Sequence, residues 1–260
     1  MRRVVLSAFV LSCAVASALA GDLPALKAPP VLEVPAPTFG WAGFYFGGYG
    51  GGVFATTDFV GPVDDHYRQG PHGGTFGALI GYNVQFRPNW VEGIEIDGGW
   101  QGYKTATNFT DPNEITLVPA TVRQTVDSNY VARIRGRVGY AFGDRALFFV
   151  AGGLSFTDIA ASEYDVTNAS GPYSRTRDFI GGTIGAGLDY AFLSNWIGRI
   201  EYIYDNYPAM DYGFSSMAAV PAGSVNTVND RRIYPQESTV RAALIYKFDV
   251  LAPAPVIAKY

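Results

Sequence analysis

The stretch Arg241-Ala-Ala-Leu-Ile-Tyr-Lys-Phe248, near the C-terminal end, alternates between two kinds of residue. Its even-numbered positions are apolar and end in the rings of Tyr246 and Phe248, whereas Arg241 and Lys247 occupy odd-numbered positions. A period of two predicts a β-strand. In a soluble protein the apolar face would be core, but in a membrane barrel it would meet lipid while the charged face lined the lumen. The remaining strands decide between these alternatives.

Seven other stretches repeat this alternation, so the sequence predicts eight strands. The middle of each even-numbered face is apolar, and even-numbered charges such as Asp158 and Asp178 lie near predicted strand ends. The total of 31 Gly, 17 Tyr and 17 Phe is typical of short, curved strands that carry interfacial rings. The predicted strands are Gly43–Thr56, Gly73–Phe86, Trp90–Lys104, Ser128–Phe142, Ala146–Asp158, Asp178–Phe192, Trp196–Tyr207 and Glu237–Phe248.

The connections between these strands alternate between short and long. The short ones, at residues 87–89, 143–145 and 193–195, are tight turns rich in Pro, Gly, Asn and Asp. Short turns on one side and long loops on the other are typical of outer-membrane barrels, whose short turns are periplasmic. This asymmetry predicts that both termini lie in the periplasm. The predicted extracellular loops are 57–72, 105–127, 159–177 and 208–236.

Charged residues on the odd-numbered faces favour a membrane barrel over a soluble, lipocalin-like barrel, which also has eight strands. Arg133, Arg135 and Arg137 share one face of one strand and could not lie in an apolar core without partners. The preceding strand should pair with this one, which would bring Glu95 and Asp97 within reach of the arginines. The predicted lumen charge network consists of Glu95, Asp97, Arg133, Arg135, Arg137, Asp189, Arg199, Glu201 and Arg241, with Lys247 at the lumen mouth.

We therefore predict an all-β fold, an eight-stranded antiparallel up-and-down transmembrane β-barrel with a filled polar lumen. The predicted inward face holds six cations against four carboxylates, so water or other polar groups should meet the excess positive charge. Eight strands enclose a lumen just wide enough for side chains to fill. The filled lumen argues against large diffusive conductance, but a narrow porin-like channel stays open as an alternative.

The N-terminal segment has the pattern of a secretory signal peptide at residues 1–20, with Met1-Arg-Arg3, an apolar run and Ala18-Leu-Ala20 before the cleavage site. Residues 21–40 form a Pro-rich periplasmic linker, residues 41–248 the barrel and residues 249–260 a periplasmic tail. Cys13 is the only cysteine, and its context weakly matches a lipoprotein acylation site. If it leaves with the signal peptide, disulfides cannot hold the fold together.

The segment Trp41-Ala-Gly-Phe-Tyr-Phe-Gly-Gly48, which follows the Pro-rich linker, closely resembles the small alphaproteobacterial outer-membrane β-barrel family. That family includes surface antigens and hemin-binding proteins, and the resemblance extends over residues 41–248, including Gly93-Ile-Glu-Ile-Asp97. The last strand also resembles the signal that the barrel-assembly machinery reads. The matching positions are Arg241, Ala243, Tyr246 and Phe248, although Ala243 replaces the usual Gly and the chain continues to Tyr260.

Other functional classes find weaker support. The net charge of −4 and the absence of basic runs argue against nucleic-acid binding. The glycines of Gly48–Gly52 lie within a strand pattern with no following helix, which argues against a phosphate-binding loop. His66 and His72 offer an alternative hemin or metal site in loop 57–72. No cofactor is expected.

The sequence shows no distinct His-Ser-Asp spacing, so we expect that the protein is not an enzyme. The favoured interpretation is a structural, surface-displayed protein of the outer membrane. Its partners would be outer-membrane lipid and, during biogenesis, the barrel-assembly machinery, while the extracellular ligand is unknown.

Overall fold

The computed structural model describes residues 39–60, 66–111, 120–167, 170–212 and 231–248. The predicted signal peptide, most of the linker and the tail lie outside these residues. Within the described part of the chain, no helix is long and apolar enough to cross a membrane.

The described residues form ten antiparallel strands in one sheet, and the pairing of the first strand with the last closes it into a ring. Two strands are short: β2 and β9 are separated from β3 and β8 by breaks that contain Pro71 and Pro208, and proline has no N–H to donate. Eight strands therefore form the wall, and the predicted eight-stranded antiparallel fold is confirmed. The strands are β1 Gly43–Val60, β2 His66–Gln69, β3 His72–Gln85, β4 Trp90–Asp111, β5 Ala120–Phe142, β6 Ala146–Asp165, β7 Ser170–Ala191, β8 Trp196–Asn206, β9 Met210–Tyr212 and β10 Arg231–Lys247.

The three tight turns lie where the sequence predicts them, but the prediction of four long loops is wrong in extent. Strand residues occupy 57–60 and 66–69 in the first predicted loop, 105–111 and 120–127 in the second, 159–165 and 170–177 in the third, and 210–212 and 231–236 in the fourth. The predicted boundaries depended on apolar residues at outward positions. The apolar outward residues end part of the way along each strand, whereas the hydrogen-bonded ladder continues towards the long hairpins.

An apolar band surrounds the outside of the barrel. The predicted even-numbered side chains point outward along most of the wall, and rings gather at the turn side, where Trp90 packs on Tyr140 and Trp196 on Tyr246. On β4 the band runs from Trp90 to Trp100, and ten residue steps in a strand tilted by about 40° rise about 26 Å. That height matches the apolar band of about 25 Å that is typical of outer-membrane barrels.

A β-bulge in β5 exchanges its inward and outward faces. The register with both neighbouring strands shifts between Asp127 and Val131, so even-numbered residues point inward before the shift and odd-numbered residues after it. Ser128, an even-numbered residue at the start of a predicted strand, therefore points inward and is buried. Asp158, predicted at a strand end, is instead a buried residue within β6 whose carboxylate accepts hydrogen bonds from the N–H groups of Asn129 (2.8 Å) and Tyr130 (3.0 Å). The carboxylate thus satisfies backbone groups that the bulge removes from the ladder.

Three layers of side chains fill the described lumen. The lower apolar layer, near the turns, includes Tyr45, Leu147 and Ile197. The upper apolar layer, near the long hairpins, includes Phe59 and Phe179. Charged and polar residues lie between the two. The lumen is therefore filled as predicted, but it is polar only in its middle layer.

Candidate functional site

The charged middle layer holds the densest cluster of ionisable side chains among the described residues, and four of its ion pairs follow directly from strand pairing. Opposite positions in the ladders join Glu95 to Arg135 and Asp97 to Arg133 across β4 and β5. The Arg135 Nη2 atom lies 2.7 Å from Glu95 Oε1, and Arg133 Nη1 lies 3.3 Å from Asp97 Oδ1. Across β7 and β8, Asp189 faces the Arg199 guanidinium, which donates to both carboxylate oxygens at 2.6 and 3.0 Å.

The fourth such pair joins Arg241 of β10 to Glu201 of β8, with Nη2 2.8 Å from Oε2. Further strong contacts cross the lumen and connect strands that are far apart in the sheet. Arg135 of β5 donates to Glu201 of β8 at 2.6 Å, and Arg241 of β10 donates to Asp97 of β4 at 2.8 Å. Arg199 donates to Glu95 at 2.6 Å. Because these contacts join opposite walls, the network braces the barrel across its diameter.

The structure brings all nine predicted network residues together, and every one is almost completely buried. Sequence reasoning missed two carboxylates. Asp205 accepts three hydrogen bonds from Arg133, the shortest at 2.6 Å, and Glu237 lies directly opposite it in the ladder of β8 and β10. Both occupy odd-numbered positions in predicted strands, which was the signal that could have found them. With them, the four predicted inward carboxylates become six, which equals the number of predicted inward cations, and Asp158 and Glu163 are buried as well.

In the described residues, the side of the middle layer that faces the upper apolar layer consists of polar contacts and not of ion pairs. Glu237 accepts hydrogen bonds from Gln101 Nε2 at 2.9 Å and from the Tyr103 hydroxyl at 2.8 Å. On another wall, the Ser155 and Tyr207 hydroxyls lie 2.8 Å apart. These contacts link the ion pairs to the rings of the upper layer, since Tyr103 and Tyr207 belong to both.

The predicted assembly positions, which lie in β10 and directly after it, divide between the two faces of the wall. Arg241 points into the ion-pair network and Ala243 into the lower apolar layer. Tyr246 and Phe248 pack edge-to-face on the outside, with ring centroids 5.1 Å apart. Lys247 is buried at the mouth, as predicted.

The alternative hemin residues lie in or beside strands and not in an open loop. His66 begins β2, with its backbone opposite Val60, and His72 begins β3 as an exposed residue opposite Phe54. In the residues that the structure describes, no group of three or more His, Cys, Asp or Glu side chains could hold a metal ion.

The long hairpins form a second candidate surface. Beyond Trp100, β4 continues for eleven residues to Asp111, which at the same tilt adds about 28 Å of height. Outward residues there are polar and exposed, among them Lys104, Asn108 and Arg123. These hairpins therefore present polar side chains on hydrogen-bonded strands well beyond the apolar band.

Comparison with known proteins agrees with this architecture. The sequence matches the family described as "Outer membrane protein beta-barrel domain" over residues 6–221. It is 32% identical over 198 residues to the 25 kDa outer-membrane immunogenic protein of Brucella ovis, covering 74% of this chain and 83% of that protein. It is 26% identical over 258 residues to the 31 kDa outer-membrane immunogenic protein of Brucella melitensis, covering 95% and 100% of the two chains. OprG of Pseudomonas aeruginosa, a solved structure, covers 80% of this chain and 97% of its own at 12% identity and a TM-score of 0.45. The chain belongs to the outer membrane protein beta-barrel domain family and is a protein of the cell outer membrane.

Proposed function

We propose that this outer-membrane barrel is a non-catalytic structural protein that displays its long hairpins at the cell surface, with both termini in the periplasm. The observation that carries the proposal is the packing of the lumen. Five guanidinium groups and their carboxylate partners fill its middle, and an apolar layer lies on each side of them. Such a lumen leaves little room for diffusing solutes. The side chains that can meet partners outside the cell are therefore those of the hairpins.

Two features support the orientation and the display role. The described chain enters β1 and leaves β10 on the side of the tight turns, and short turns are periplasmic in barrels of this kind. The hairpins then lie outside, consistent with relatives whose names call them outer-membrane immunogenic proteins. Outside the wall the partner is outer-membrane lipid, and during biogenesis the barrel-assembly machinery would read Tyr246 and Phe248 at the end of the last strand.

Trypsin treatment of whole cells tests orientation and display. Lys104 and Arg123 lie on the hairpin of β4 and β5, whereas Arg87 and Arg145 lie in turns on the opposite side. We expect that any cleavage of intact cells falls within the hairpins and that the turns are cut only after the membrane is opened. Cleavage at Arg87 or Arg145 in intact cells would refute the orientation.

Planar-bilayer recording tests the filled lumen against the porin-like alternative. Folded wild-type protein should produce no stable large channel, and the same preparation should show the shift in gel mobility on heating that marks a folded barrel. Stable large channels from monomeric protein would refute the proposal.

A further inference from the structure

Residues Phe39–Ala42, which we call the mouth strap, precede β1 and are not part of the barrel wall. The wall pairing of β1 begins at Gly43, opposite Asn83 of β3. Gly43 has a φ of +126°, and a Cβ atom there would lie 2.7 Å from the Phe248 carbonyl oxygen. A left-handed backbone without a side chain therefore lets the chain leave the wall at this point.

The mouth strap crosses the opening on the turn side. The Trp41 N–H donates to Gln85 Oε1 at 3.0 Å, at the end of β3. The Phe39 N–H donates to the carbonyl of Asp144 at 3.3 Å, in the turn between β5 and β6. In the ring order β1-β3-β4-β5-β6-β7-β8-β10, β6 lies diametrically opposite β1. A segment of four residues thus bridges the full width of the mouth.

Two ring contacts hold the mouth strap in this position. Phe39 packs edge-on against Trp41 with centroids 4.7 Å apart, and Lys247 Nζ lies 5.4 Å from the centre of the Phe39 ring. Trp41 belongs to the lower apolar layer and is 1% exposed, whereas the other three tryptophans, Trp90, Trp100 and Trp196, are 41%, 45% and 37% exposed on the outer wall. Trp41 therefore packs as a plug in the lumen and not as an interfacial anchor.

We propose that the mouth strap is a lid that seals the lumen on the turn side. The layer above it contains the ion pairs of Asp189 with Arg137 and Arg199, at 2.7 and 2.6 Å. Water entering this layer would weaken those pairs by raising the local dielectric constant. The lid is held by ring contacts and by two hydrogen bonds, one to the Gln85 side chain and one to the Asp144 carbonyl. It takes no part in the β1 ladder, so it opens without breaking the wall.

Thiol labelling in the folded protein tests the lid. Ala191 lies in the lower apolar layer and is 0% exposed, so Ala191→Cys in a Cys13→Ser background serves as a reporter for a membrane-impermeant charged maleimide. Phe39→Ala/Trp41→Ala should raise its labelling rate by about tenfold or more, since labelling then no longer waits for local opening. Gly40→Ala is the matched control, because a Cβ there has nothing within 4 Å.

Gel mobility before heating shows which variants contain a folded barrel, and only the folded band is scored. Equal labelling rates of Ala191→Cys with and without the double substitution would overturn the lid. So would labelling of Ala191→Cys without the double substitution at the rate of Asp144→Cys in the exposed turn.

Fluorescence quenching gives a second test that leaves Trp41 in place. In a chain with Trp90, Trp100 and Trp196 changed to Phe, Trp41 is the only indole. With the lid closed, its emission should resist both aqueous acrylamide and lipids with brominated acyl chains, and Phe39→Ala should raise the acrylamide quenching several-fold while the brominated lipids stay ineffective. Strong acrylamide quenching of the Gly40→Ala control would overturn the proposal.

Discussion

Neutralising Glu95 should destabilise the barrel far more than neutralising an exposed carboxylate of the same strand. Its Oε1 atom accepts a hydrogen bond from Arg135 at 2.7 Å, and its Oε2 atom accepts from Arg199 at 2.6 Å and from the Tyr45 hydroxyl at 2.8 Å. Glu95→Gln keeps the size of the side chain but removes the charge. The matched control is Glu92→Gln, on the exposed outer face of β4.

The expected magnitude follows from the burial of the partners. Arg135 and Arg199 are 0% and 2% exposed, and breaking a buried ion pair by removing one partner costs about 3–5 kcal/mol. Because the amide oxygen can still accept a hydrogen bond, we expect the lower end of this range, about 3 kcal/mol. With a denaturant dependence of about 2 kcal/mol per molar urea, the unfolding midpoint should fall by about 1.5 M. Glu92→Gln should shift it by about 0.2 M or less.

The assay is urea unfolding of the protein refolded in lipid vesicles, followed by gel mobility before heating and by tryptophan emission. A second variant removes both charges of one pair. In Glu95→Gln/Arg199→Gln the loss should be clearly smaller than the sum of the two single losses, because the unpaired guanidinium is gone as well. Equal midpoints for Glu95→Gln and Glu92→Gln, or strictly additive losses in the double variant, would refute the view that this network stabilises the barrel.

Three further outcomes are expected. Asp158→Ala should lower the free energy of unfolding by about 1–3 kcal/mol, since it leaves the part-buried N–H groups of Asn129 and Tyr130 without their acceptor. Asp178→Ala, exposed on the outer wall, should cost less than about 1 kcal/mol by the same urea assay. Gly77→Ala should cost about 1–3 kcal/mol, because its Cβ would meet a carbonyl oxygen of the next strand. Gly48→Ala should be tolerated, since the nearest atom to a Cβ there is 3.8 Å away. Equal unfolding midpoints for these two variants would contradict the packing argument. Deleting residues 249–260 should leave membrane insertion in cells intact if Phe248 is the effective end of the assembly signal, and loss of the folded barrel from outer-membrane fractions would show that the signal lies in the tail.

Much of the wall was predictable because a barrel in lipid imposes a simple rule on each strand. Outward residues must be apolar wherever they meet acyl chains, so alternation marks the parts of Trp90–Asp111 and its neighbours that cross the apolar band. Beyond the band the contrast that marks lipid contact is lost, because outward residues are polar there and inward ones such as Ile159 and Phe179 are apolar, the reverse of the arrangement within the band. The strands were therefore predicted too short. The bulge at Ser128 was also hidden, because one extra residue changes the faces without changing the alternation on either side.

Alternation along the sequence predicts the number of wall strands, the face of each that meets lipid, and the residues of the ion-pair network apart from Asp205. Pairings between neighbours in the chain, such as Glu95 with Arg135, followed from the order of the strands. The contacts across the lumen and the place of Trp41 depend on the closed barrel, because closing the sheet brings together residues with no regular spacing in the sequence. The mouth strap lies outside the ladder, so no alternation in its sequence predicts its direction. Its position depends on the opening that it fills.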